Sequence, residues 1–350
     1  MKKNREYGID FIKTIGIVLV LLVHGLGSGQ LIGQPLNSFS AISALGMRIV
    51  SMISIPLFFI CMGYLNHKYE FSKNYLYRLK PILFSYFLAV LLSLMSSYFI
   101  GKKELTLGLI LSEFLHLNVS NYAWYARMYV LFFLLIPFLN RWFMGLKNKN
   151  EEKILLIVLI VITSLPALLN PFLISLNIAI SLPAYFVQLY PIMYYFIGLF
   201  IYRNDISVKK RILTVLSLMT IAVQLLIFVI RYSNNTPNIG MFGSYGSFVN
   251  VLLATSVFLL LKNVSFKSSH VRKFIVYISI HTFDLYLISH IFDRIIYPIY
   301  TQRIVTSNNR LMLLIFPLIF TFICSLIYVF IKDNVSKYFK TKDRRVDVKV

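Results

Sequence analysis

The chain has 350 residues, 58% of them hydrophobic and only 14% charged, with a formal net charge of +22 and a mean hydropathy of +0.74. A soluble domain carries about a quarter of its residues as charges, so this composition excludes an ordinary soluble protein and predicts a polytopic membrane protein. The basic excess, which in a soluble chain would suggest nucleic acid, is accounted for by the Lys and Arg that membrane proteins keep on the cytoplasmic side. No nucleic-acid partner is expected.

Apolar runs predict an all-α helical bundle of about ten spans, each near the ~20 residues that cross the hydrocarbon core. They fall at about 8–27, 45–65, 81–100, 124–143, 154–170, 184–202, 211–231, 245–261, 274–293 and 311–331. The fifth is short and leads into an apolar connection, 170–183, with the character of a re-entrant segment. One membrane domain, 1–335, and a basic cytoplasmic tail, 336–350, are expected. Cys61 and Cys324 both lie in apolar runs and read as packing residues. The first run resembles a signal peptide in its basic start, but its interior Asp10 and Lys13 argue against one.

Orientation follows from the basic residues. With a cytoplasmic N-terminus, 26 of the 35 Lys and Arg fall on the inner side and eight on the outer side or outer span ends, with Lys13 inside the first span. Every loop alternates as the positive-inside rule requires, so both termini are expected in the cytoplasm.

The first span carries Asp10, Lys13 and His24. A helix turns about 100° and rises 1.5 Å per residue, so Lys13 and His24 lie about 20° apart in angle and roughly 16 Å apart along the axis. Asp10 is one turn below Lys13 and is expected to pair with it. Ionisable groups in a span are costly unless they face a cavity or partner, so this stripe marks a candidate active site. Lys13 belongs to the inner third of the membrane and His24 to the outer surface.

Arg78-Leu79-Lys80 precedes the third span on the inner side. It reads as a positive-inside anchor or as a clamp for phosphates, Arg offering a planar fork and Lys a point charge. Pro56 is placed to kink the second span. The outer segment 101–122 contains Glu113 and His116 at helical spacing, then Asn118 and Asn121, followed by Trp124 and Tyr125. Two ligands from one loop are weak evidence for metal, and no metal is expected. Stacking of these aromatic rings on a sugar and an interfacial aromatic belt both fit. Taken as one helix, the ninth span puts His281, beside Asp284, and His290 on opposite faces. His290 shares its face with Tyr286 and Arg294, at the depth of His24.

In order, these pieces are a basic residue, ten residues and His (Lys13 to His24), then PLFFICMGYL, Arg78-x-Lys80, WYARMYVLFFLLIP, and Thr282 through Tyr286-Leu287 to His290. The pattern resembles the acyltransferase-3 superfamily, membrane O-acyltransferases of cell-envelope glycans, over about residues 5–330. The chain departs from the usual pattern with Lys at 13 and 80 and with Met62-Gly63-Tyr64 in place of Ser-Gly-Tyr.

The resemblance implies an acyl-CoA donor, usually acetyl-CoA, entering from the cytoplasm, and no bound cofactor. It implies an acceptor hydroxyl on a polysaccharide or lipid-linked sugar and a place in the bacterial cytoplasmic membrane, alongside glycan-synthesis proteins. His24 then suits a general base. Asp10, Lys13 and His290 complete the catalytic candidates, Arg78 and Lys80 the donor site, and Glu113, Trp124, Tyr125 and Tyr286 the acceptor site. Direct and covalent transfer both stay open. A glycan flippase and a non-catalytic partner of a glycan synthase share the same span count and are the alternative readings.

The charge count generates a direct test. A reporter fused after Lys349 is expected to report cytoplasm and one inserted within 101–122 the outside. A cytoplasmic signal from the second fusion would invert every depth assigned above.

Overall fold

A computed structural model describes residues 5–99, 104, 106–115, 122–173, 178, 180–232 and 244–346. In chain order the helices are α1 (Tyr7–Ser28), α2 (Phe39–Ser51), α3 (Ser54–Asn66), α4 (Lys73–Tyr77), α5 (Leu79–Phe99), α6 (Leu107–Leu115), α7 (Ala123–Met144) and α8 (Lys149–Leu173). They continue with α9 (Ala184–Val187), α10 (Tyr190–Arg203), α11 (Lys210–Tyr232), α12 (Phe248–Leu261), α13 (Ser269–Ile280), α14 (Thr282–Arg303), α15 (Ser307–Leu313) and α16 (Ile315–Val346). No strand occurs among the described residues. A chain that crosses hydrocarbon must satisfy its backbone within each segment, and helices do so.

Among the described residues eight helical stretches are long and apolar enough to cross a membrane, and the bent pair α13–α14, taken as one span, makes nine. The apolar α12, of 14 residues, is shorter than these. The last helix runs unbroken from Ile315 to Val346, through the boundary expected at 335.

Four of the breaks between consecutive helices of a span fall four residues before a proline. A proline ring collides with the carbonyl four residues earlier and lacks an N–H to donate to it. Pro81, Pro191 and Pro317 each stand four residues after the last residue of a short helix, α4, α9 and α15. Pro56 stands four after Met52, where α2 gives way to α3.

The ninth span differs from its expectation. It is not one straight helix but turns by 73° at His281, where no proline stands. The turn is held by charge. His281 Nδ1 lies 3.6 Å from Asp284 and its Nε2 lies 3.0 Å from Asp333. Lys332 Nζ reaches Asp284 at 2.5 Å and donates to Ser85 Oγ at 2.6 Å. The opposite-face argument for His281 and His290 therefore fails, because the two residues sit on different sides of a bend.

The core centres on α3 packed against α10, whose Tyr194, Tyr195 and Phe196 are fully buried. The two backbones touch. A Cβ at Gly63 would sit 2.0 Å from the Tyr195 carbonyl oxygen, and one at Gly198 2.2 Å from that of Ile60. Small residues permit such close approach in membrane bundles. Gly63 thus serves as a packing contact.

Gly198→Val and Gly63→Val are expected to lower thermal stability in detergent by on the order of 1–3 kcal/mol, the usual cost of overpacking. Gly46→Ala, where a Cβ meets nothing within 4 Å, is the neutral control. Equal melting of all three variants would refute the backbone contact.

Candidate active site

α1 positions Asp10, Lys13 and His24 in a largely apolar helix. At its inner end Asp10 accepts two bonds from Arg5, Nε at 2.7 Å and Nη2 at 3.0 Å, and a third from Ser279 Oγ at 2.6 Å. The expected Asp10–Lys13 pair is not formed. An aspartate already holding a bidentate guanidinium and a hydroxyl has little need of a second cation. Thr14 adds a bond from its hydroxyl to the Ile275 carbonyl at 3.2 Å, fastening α1 to α13.

Lys13 instead faces a cavity of about 250 Å³. Cys61, Tyr125, Tyr129, Thr282 and Tyr286 share its wall, and Leu65, Asn66 and Ile82 border it towards the inner ends of α3 and α5. Lys13 makes no hydrogen bond or salt bridge among the described residues. An unpaired ammonium within a span is stable only beside water or an anionic or carbonyl ligand, and the cavity has room for either.

Tyr125 and Tyr286, with ring centroids 5.0 Å apart, belong to the wall of this cavity. The Tyr286 ring is also 6.0 Å from that of His24, and its hydroxyl donates to the Tyr122 carbonyl at 2.7 Å. His24 stacks on Tyr122 with centroids 3.5 Å apart and planes 20° from parallel. His290 meets the same Tyr122 ring edge-on at 4.7 Å. The Tyr122 hydroxyl donates to Asp293 Oδ2 at 2.9 Å, and Thr321 donates to Asp293 Oδ1 at 3.0 Å. Both His24 and His290 hold a buried Nδ1 with no hydrogen-bond partner. Two imidazole nitrogens without hydrogen-bond partners thus flank one fixed tyrosine.

The remaining candidates fall as follows. The Arg78 guanidinium lies over the Tyr69 ring at 4.3 Å and Lys80 Nζ over the Tyr77 ring at 4.5 Å. Both are exposed, and neither lines the Lys13 cavity. Tyr69 does line a second cavity of about 650 Å³, together with His67, Lys68 and Arg141. Trp124 packs on Tyr245 at 5.6 Å. Glu113 belongs to α6, while His116, Asn118 and Asn121 lie outside the described residues.

Sequence reasoning missed Tyr122, Asp293 and Thr321. Asp293 had a signal, since His290-x-x-Asp293 is one helical turn. Tyr122 and Thr321 had none, because their partners lie far away in the chain.

In the comparisons with known proteins, a family model described as an acyltransferase domain matches residues 6–330. No curated protein and no solved structure matches the chain.

The stack on Tyr122 makes a measurable prediction. An aromatic pair contributes about 0.5–1.5 kcal/mol, so Tyr122→Leu is expected to raise the rate at which diethylpyrocarbonate modifies His24 roughly 2- to 10-fold. Tyr122→Phe, which keeps the ring, is expected to change it less. Mass spectrometry of the His24 peptide reads the result, and an unchanged rate in Tyr122→Leu would remove Tyr122 as the support of His24.

Proposed function

The chain belongs to the acyltransferase-3 family, and from that premise we propose that it moves an acyl group, acetyl in the first instance, from cytoplasmic acyl-CoA to a hydroxyl of an envelope polysaccharide or lipid-linked sugar. The proposed place of action is the bacterial cytoplasmic membrane. The observation that carries this reading is His24. Its Nδ1 is buried and unpartnered, and its ring is fixed against Tyr122. It shares a helix with Lys13, which lines the cavity below.

In this proposal Arg78 and Lys80 hold the donor's phosphates at the inner surface, where the second cavity offers Tyr69, Lys68 and Arg141 beside them. The extended arm of the donor rises past Lys13, whose ammonium binds a carbonyl of that arm. Arg5 and Asp10 fix the inner end of α1 and act through position alone. The acceptor hydroxyl approaches His24 from the outer side, flanked by Trp124, Tyr125 and Tyr286, with Glu113 as a further acceptor candidate. His24 takes the hydroxyl proton as the oxygen attacks the thioester carbon. The C–S bond then breaks, the new ester forms, and the coenzyme A thiolate leaves and takes up a proton. His290, which meets the Tyr122 ring edge-on, is in this proposal the donor to the carbonyl oxygen as it gains charge.

His24→Gln keeps size and one hydrogen bond but cannot accept a proton near neutral pH. It is expected to melt like the parent and to lose acyl transfer at least ~100-fold, the contribution of a positioned base. His290→Gln is expected to lose less. The measurement is transfer from acetyl-CoA to purified envelope glycan, read beside mass spectrometry of glycans with and without the gene. Near-normal turnover by folded His24→Gln would overturn the assignment.

A further inference from the structure

The cavity that holds Lys13 is graded along its length. α3 presents Phe58, Cys61, Met62, Leu65 and Asn66 to it, the spacing of one helix face. Eight residues of helix rise about 12 Å, so Phe58 and Asn66 mark opposite ends. The Asn66 end is polar and tied to α7, since Asn140 Nδ2 donates to the Asn66 carbonyl at 2.8 Å. The Phe58 end is aromatic. The Phe58 ring lies 6.1 Å from that of Tyr125, and Tyr125 lies 5.0 Å from Tyr286, whose ring is 6.0 Å from His24. The apolar end of the cavity is therefore the end towards His24.

Two of the three rings at that end are held from several sides. The Tyr286 hydroxyl is bound to the Tyr122 carbonyl, and the Tyr125 ring also meets those of Phe59, Trp124 and Tyr129. Phe58 instead rests on a glycine. A Cβ at Gly16 would sit 3.0 Å from the tip of the ring, Cζ, and 3.1 Å from Cε1. Gly16 lies one turn beyond Lys13 on α1. The absent side chain lets the ring lie against the α1 backbone, and so sets how far Phe58 stands into a cavity of about 250 Å³.

The geometry points to Phe58, seated on Gly16, as the stop that sets the length of acyl chain this cavity accepts, with a short-chain acyl thioester as the guest. The inference rests on the acyl-CoA reading for the identity of that guest. The donor's arm passes Lys13, and the chain beyond the thioester carbonyl runs into the aromatic end, where apolar surface meets apolar surface. The Phe58 ring then blocks further methylenes. One methylene that fits or fails to fit an apolar pocket changes discrimination roughly 10- to 200-fold.

The test is calorimetric titration of the full chain in detergent with S-acetyl-, S-propionyl-, S-butyryl- and S-hexanoyl-pantetheine, which carry the donor's arm and chain without its nucleotide. The butyryl compound is expected to bind at least ~10-fold more weakly than the acetyl compound. Phe58→Leu is expected to narrow that difference and Phe58→Ala to reverse it, because added methylenes then gain apolar contact. Gly16→Ala pushes the ring off α1 and is expected to extend the exclusion to the propionyl compound. Affinity that rises steadily with chain length in the parent overturns the stop and needs no variant, so a misfolded Phe58→Ala does not protect the proposal. An unchanged ranking in Phe58→Leu and Phe58→Ala proteins that melt like folded protein also overturns it. Binding that ignores chain length overturns the stop alone, whereas no binding of any of the four compounds overturns the acyl-CoA reading together with it. Length discrimination without acylation of any envelope glycan supports the stop and overturns the proposed acceptor.

Discussion

The interaction on which the rest depends is the one that lets α1 carry charge through hydrocarbon. Asp10 is closed off by the Arg5 fork and the Ser279 hydroxyl, so the inner end of the helix holds its carboxylate without leaving it unpaired. Breaking such a pair on one side leaves a bare buried charge, which costs more than the pair contributes. With Asp10 already engaged, Lys13 is free to face the cavity. The same three bonds fix the rotation of α1, and that rotation decides where His24 points eleven residues further on. The placing of His24 is thus set from the opposite end of the helix.

A similar economy holds His24 itself. A catalytic imidazole is commonly oriented by a carboxylate on its second nitrogen. Here the carboxylate is one residue removed. Asp293 and Thr321 hold the Tyr122 hydroxyl, Tyr286 holds the Tyr122 backbone, and the ring of Tyr122 supports the imidazole by its face. Helices α1, α14 and α16 meet at this point, together with the start of α7.

Much of this was legible in the sequence, because it depends on local rules. The spans follow from apolar runs, and the order of short motifs pointed to the family. The break after Ser51 was visible in Pro56, and the same four-residue rule accounts for the breaks before Pro81, Pro191 and Pro317. The bend at His281 was not legible, since it has no proline and is held by Lys332 and Asp333, some fifty residues away. The pairing of Asp10 was misread for a related reason. Helical spacing favoured Lys13, and the actual partners are a residue before the helix and Ser279 on another one. Tyr122 and Thr321 carried no local signal, as an ordinary tyrosine and threonine acquire a role only when folding brings Asp293 between them.

The aromatic layer between the two halves of the site has a consequence for the cell as a whole. Lys13 lines the cavity and His24 stands eleven residues further along α1, with Tyr125 and Tyr286 in the cavity wall and the Tyr286 ring 6.0 Å from that of His24. A catalyst that joins a donor from one aqueous compartment to an acceptor in another risks becoming a hole. Moving one elementary charge across a membrane at 100 mV releases about 2.3 kcal/mol, and an open water path would dissipate that store with every ion that passed. For a chain that works as proposed, the edge-to-face Tyr125 and Tyr286 rings are the part of the wall that has to keep such a path closed.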